Sequence, residues 1–161
     1  MATTYNNLYM DIRQTLRRAG IEAATLEARE LMCFASGKTR SQLVQDGQLY
    51  VPPAIEERAK DLVRRHLAGE PVAYLIGEWE FYGLPLRVTP DVLIPRDDTC
   101  AVAELAIRKA LFLEQDPRIL DLCCGSGCIG LAIASRVKDA KVTLADLSME
   151  ALAIAKENTG L

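Results

Sequence analysis

The sequence predicts an α/β fold in which a helical N-terminal bundle precedes a partial parallel sheet. Three observations carry that prediction. Residues up to about 70 repeat apolar side chains at helical spacing. Residues 74–95 switch to aromatic and β-branched residues broken by Gly and Pro. From Asp97 onward, helical and strand patterns alternate.

In the first part Leu8, Ile12 and Leu16 recur every four residues. Leu26, Leu31, Phe34 and Ala35 form a second stripe, and Ile55, Ala59, Leu62 and Val63 a third. Pro52-Pro53 can open that third helix and Gly69 can close it. Between Tyr74 and Pro95, Gly77, Gly83, Pro85 and Pro90 mark a hairpin or short strands that read as an ordered linker. A helix is then predicted from Asp97 to about Leu113, and a buried strand over Arg118–Leu122. A helix over Gly127–Val137, a strand over Lys141–Ala145 and a helix over Ser148–Asn158 follow. The expected domains are 1–72, a hairpin hinge at 73–96, and 97–161.

At 161 residues the chain is one domain or two small ones, and half of it is hydrophobic, enough to bury a core. Its 19 basic and 22 acidic residues leave a net charge of -3, so no bulk attraction to nucleic acid or to an acidic membrane is expected. No apolar run approaches the ~20 residues of a bilayer span, and the polar start resembles no signal peptide, so a cytoplasmic protein is expected. Cys33, Cys100, Cys123, Cys124 and Cys128 are odd in number, and three crowd into six residues, a pattern of free thiols rather than a secreted framework. With no histidine beside them they lack a structural zinc pattern, so no metal is expected. His66, the one histidine, falls near the end of the third helix, where a capping or dipole role outweighs catalysis. Arg13, Arg17, Arg18, Arg58, Lys60, Arg64 and Arg65 read as solvated helix faces, interleaved as they are with acids.

The chemistry concentrates in Asp121-Leu122-Cys123-Cys124-Gly125-Ser126-Gly127, where a strand enters a tight turn that opens a helix. Gly125 and Gly127 let backbone pass close to a ligand, and the helix start offers free amides. Asp146, at the tip of the next strand, is placed to accept both hydroxyls of a ribose. Together these describe a nucleoside-containing cofactor site. Gly125, Gly127 and Gly130 also satisfy the G-x-G-x-x-G spacing of NAD-binding domains. Asp121 discriminates: a carboxylate there would repel a pyrophosphate and suit a cationic ligand end, which favours S-adenosylmethionine with its ammonium and sulfonium.

The segment from Pro71 to Gly83 (PVAYLIGEWEFYG) and that from Val88 to Arg96 (VTPDVLIPR) closely resemble the HemK-type protein-glutamine methyltransferases that modify peptide-chain release factors. The Ile119-Leu120-Asp121-Leu122 turn and Asp146-Leu147-Ser148 match the same family, so the resemblance spans nearly the whole chain. It implies a helical domain that helps recognise the release factor, a hairpin hinge and a Rossmann-like methyltransferase domain. It implies that Cys123, Cys124, Gly125, Ser126 and Gly127 wrap the methionine part of S-adenosylmethionine, with Asp121 near its amino group and Asp146 on the ribose. Arg96 and Phe81 are candidate wall residues, while Trp79, Phe81 and Tyr82 read first as hinge core.

The chain departs from the family pattern at Cys123 (usually Gly), Asp97 (usually Pro) and Cys100 (usually Glu). A Cβ at Cys123 could crowd the ligand or point into the core. The Asn-Pro-Pro-Tyr motif that holds the substrate amide in the family is missing, since only Asn6, Asn7 and Asn158 occur and none precedes proline. The expectation is therefore a truncated chain with a cofactor half-site, no catalytic residue of its own and no turnover alone, and with an unpaired strand edge that favours association. Two alternatives stand beside it: a noncatalytic module that docks a release factor, and an NAD-binding domain.

Overall fold

The computed structural model describes residues 2–113 and 116–160. The chain divides between Ile76 and Gly77 into two compact units.

The first unit is helical. It holds α1 (Tyr5–Arg18), α2 (Ala24–Ser36), α3 (Arg40–Gln45), α4 (Pro53–Leu67) and α5 (Val72–Ile76). Local chemistry sets the ends. The Asn7 N–H donates to the Thr4 hydroxyl ahead of α1. A reciprocal Thr39–Gln42 capping box starts α3, and Pro53 begins α4 where its missing N–H costs nothing. Leu8, Ile12 and Leu16 are buried, as are Ala59, Leu62 and Val63. Leu26 is not: the inward face of α2 is Ala24, Ala28, Leu31, Met32 and Ala35 at helical spacing, and Leu26 lies off it. The short helices α3 and α5 carry too few turns for a legible apolar period.

His66 ties this unit together. Its Nδ1 lies 2.8 Å from the Glu70 carbonyl and its Nε2 3.0 Å from the Glu27 carboxylate on α2, with the ring side chain only 12% exposed. His66→Ala leaves the half-buried Glu27 oxygen without this partner, at a cost of about 1–3 kcal/mol. The urea midpoint of unfolding is expected to fall accordingly with the slope unchanged.

The second unit opens with an antiparallel hairpin, β1 (Glu78–Phe81) and β2 (Leu84–Arg87). It continues as α6 (Asp97–Leu111), β3 (Arg118–Leu122), α7 (Cys128–Arg136), β4 (Lys141–Ala145) and α8 (Met149–Asn158), with β3 and β4 parallel. The hairpin is part of this unit rather than a separate hinge, because Phe81 and Leu86 pack with Ala103 of α6 and Ala132 of α7. The expected boundaries at 72 and 96 thus give way to a single division after Ile76, α5 closing the helical unit.

The expected burial of Arg118–Leu122 is corrected. Ile119 and Asp121 of β3 turn toward α7, but Leu120 and Leu122 on the other face are 61% and 68% exposed. Strand residues alternate faces, and among the described residues helices cover only one face of this sheet.

Candidate functional site

The parallel register pairs Asp121 with Leu144 and Leu122 with Ala145, so both strands end together. Asp146 follows β4 immediately, which sets two carboxylates side by side at the carboxyl edge of the sheet. That edge is where open α/β sheets bind ligands.

Between β3 and α7 the chain turns tightly. The Cys124 N–H donates to the Ala145 carbonyl at 3.0 Å, extending the parallel ladder by one bond. The Gly127 N–H then donates to the Cys124 carbonyl at 2.8 Å, closing the turn. Gly125 sits at φ +54° with open space where a Cβ would stand, leaving its backbone exposed to an approaching group.

One carboxylate holds this loop and the other the helix that follows it. Asp146 Oδ2 accepts from the Gly125 N–H at 2.8 Å, and Oδ1 from the Ser148 N–H at 3.0 Å. The Gly125 amide above all, then that of Ser148, holds the Asp146 carboxyl below the usual carboxylate range. Asp121 Oδ2 accepts from the Gly130 N–H at 2.8 Å, in the first turn of α7. Partial burial pushes the Asp121 carboxyl up; the Gly130 amide opposes that, and the Asp146 charge adds to it.

Asp121 thus serves α7 as a remote cap, taking an amide that Gly127, with no side chain, cannot satisfy. A negative charge already sits on the positive end of this helix dipole. This geometry works against a pyrophosphate, whose usual seat is a free helix N-terminus.

The side chains of Cys124 and Ser126 are buried, so these two residues can offer a ligand only backbone. Cys123 is exposed at φ +61°, a left-handed conformation that glycine adopts freely and that costs a Cβ-bearing residue about 1–2 kcal/mol. Its side chain therefore faces outward, not into the core. Burial pushes the thiols of Cys124 and Cys128 up, and all five cysteines are free. Among the described residues no group of His, Cys, Asp and Glu has the arrangement of a metal site. Phe81 is core, packed with Leu86, which removes it as a wall residue. Arg96 is exposed and precedes α6 without capping it through its side chain.

The chemistry of this donor set fits S-adenosylmethionine. Two acids at one strand edge suit a ligand bearing an ammonium, a sulfonium and a ribose diol. Asp146 Oδ2 keeps a lone pair beyond the one given to Gly125, and Oδ1 beyond the one given to Ser148.

One residue outside the sequence prediction belongs to the same framework. Asn158, at the end of α8, is 3% exposed and bonds both to β2 and to the glycine loop. A signal was present in the sequence: Asn158 completes the stripe Ala151, Ile154, Ala155, so a polar residue occupies an apolar position.

Residues 7–77 match the family model described as PrmC N-terminal domain, and residues 103–160 match the Methyltransferase small domain. The release factor glutamine methyltransferase of Vibrio cholerae is 39% identical over 159 residues, covering 98% of this chain and 54% of the relative. That of Bordetella pertussis is 46% identical over 136 residues, covering 83% and 49%. The Neisseria gonorrhoeae protein of the same name is 41% identical over 133 residues, covering 83% and 48%. The chain spans about half the length of the curated relatives it matches.

Proposed function

We propose that this chain, which belongs to the family of release factor glutamine methyltransferases, supplies the cofactor end of an S-adenosylmethionine-dependent methylation of a release-factor glutamine amide. The observation that carries the reading is the pair of carboxylates at the sheet edge, one on the first turn of α7 and one on the glycine loop.

S-adenosylmethionine, when bound, supplies an electrophilic methyl group on a sulfonium. Asp121 would face its ammonium end, and Asp146 the ribose hydroxyls. Cys123, Cys124, Gly125, Ser126 and Gly127 would wrap the methionine part through backbone. Together these residues hold the cofactor in one orientation, and positioning of this kind is what an amide nucleophile needs most. The helical unit, residues 1–76, would recognise the release factor. The Asn-Pro-Pro-Tyr segment that the family resemblance puts on the substrate amide is not among these residues, so cofactor binding without turnover is expected of this chain by itself.

Calorimetric titration tests the reading. Heat of binding with S-adenosylmethionine and none with NAD is expected. Preference for NAD, or silence with both, would overturn it.

Asp121 should trade stability for this role. Its carboxyl is raised in the folded state, so the folded chain holds the proton more tightly than the unfolded one. Stability then falls as pH rises from the ordinary carboxylate range through the raised value, and the loss persists at neutral pH. Asp121→Asn removes that cost while its amide oxygen can still accept from Gly130. The unfolding temperature at pH 7 is expected to rise by roughly 1–3 °C, with the gain vanishing in acid, while affinity for S-adenosylmethionine drops.

A further inference from the structure

We propose that Asn158 is a positioning residue that fixes the glycine loop against the β1–β2 hairpin. The loop between β3 and α7 is tied to the end of β4 by the Cys124 N–H on the Ala145 carbonyl and the Gly125 N–H on Asp146, but neither bond reaches the hairpin. Asn158 supplies the anchor from behind. Its Nδ2 donates to the Ser126 carbonyl at 2.9 Å, in the middle of the loop, and to the Arg87 carbonyl at 3.1 Å. Its Oδ1 accepts from the Arg87 N–H at 2.7 Å. One amide thus uses both donors and one acceptor to join three separate elements, α8, β2 and the loop.

The chemistry explains why this position takes Asn. The two backbone carbonyls need donors, and the Arg87 N–H needs an acceptor. Among buried side chains of this size only a primary amide presents two donors and an acceptor at once. The site is 3% exposed, so each group freed by substitution would lie away from water. Arg87 and Glu157 add an exposed ion pair at 2.7 Å beside the clamp, worth little in itself. Gly125 and Gly127, on either side of Ser126, have no side chains to restrict them, so a fixed carbonyl at Ser126 narrows the directions in which the neighbouring amides point. Asn158 thereby acts on the cofactor through the loop, without touching it. This last step rests on the assignment of the loop to S-adenosylmethionine; the anchoring of the loop to the hairpin does not.

Three variants of the full chain test it, each followed by thermal unfolding, amide hydrogen exchange and titration with S-adenosylmethionine. Asn158→Ala frees both the hairpin and the loop. Asn158→Asp turns a second oxygen toward the two carbonyls and so frees the loop, while the hairpin keeps its Arg87 N–H bond to the retained acceptor. Ile107→Ala, in the α6 core, lowers stability without touching the clamp.

With Asn158→Ala the Gly125 and Gly127 amides are expected to exchange at least tenfold faster, and the dissociation constant to rise at least tenfold. With Asn158→Asp the loop amides behave alike while the Arg87 amide stays protected. Ile107→Ala leaves loop exchange and affinity within twofold at a matched fall in unfolding temperature. Equal effects of Ile107→Ala and the Asn158 variants would reduce Asn158 to ordinary core packing and overturn the proposal. If wild type shows no affinity while loop exchange still responds to Asn158, the cofactor assignment falls and the anchor stands. Should Asn158→Ala not fold, Asn158→Asp decides the question alone.

Discussion

Replacing Asp146 with alanine is expected to weaken S-adenosylmethionine binding by about thirtyfold in calorimetric titration. Two losses combine. The ribose hydroxyls lose a charged acceptor, and the Gly125 and Ser148 amides lose the carboxylate that aims them. Asp146→Asn keeps the shape and one amide acceptor, so it should fall between wild type and alanine. The pH dependence gives an independent check. Because the folded carboxyl is depressed, the bonds it makes are fully present above its unfolded value and are lost only as pH falls through the lower folded value. Affinity should therefore stay level from about pH 8 to about pH 5 as far as Asp146 is concerned. A dissociation constant within threefold of wild type for Asp146→Ala would remove Asp146 from the site.

The second large effect concerns stability. A Cβ at Gly130 would overlap a Leu144 methyl and stand 3.0 Å from Asp121 Oδ2 and 3.1 Å from Val142 Cγ1. Here α7 lies so close to β3 and β4 that only hydrogen fits. Gly130→Ala gains helix propensity of about 1 kcal/mol, but Leu144 must swing its methyl aside while Asp121 and Val142 give way by a few tenths of an ångström, or the helix must move. A net loss of about 1–3 kcal/mol is expected, read as an unfolding temperature lower by about 2–8 °C. The same shift would lengthen the Gly130 N–H bond to Asp121, so cofactor affinity should fall with it. A variant as stable as wild type would show that Leu144 turns aside without cost.

The family resemblance and the residues of the candidate site were legible in local sequence because they rest on short segments. Asp121, Gly125, Gly127 and Asp146 lie within 26 residues, and the strands at Arg118–Leu122 and Lys141–Ala145 were bounded by turn residues on both sides. What local sequence could not decide was direction. Leu120 and Leu122 belong to an apolar strand, and nothing in that strand alone says that its second face is open. Phe81 read first as hinge core with a wall role open beside it, and its packing with Ala103 and Ala132 is what places it in the core.

Sequence by itself determined the helical first half, the order of strands and helices in the second, and the two acids at the ends of neighbouring strands, where the cofactor is proposed to bind. These follow from periodicity and turn chemistry, which act over a few residues. Tertiary structure alone decided that Asp121 takes the first-turn amide of α7, that the hairpin packs onto α6 and α7, and that Asn158 reaches 32 and 71 residues back to Ser126 and Arg87. Each of those depends on a polar group finding its partner, or an apolar one its neighbour, across a distance in sequence over which no local preference operates.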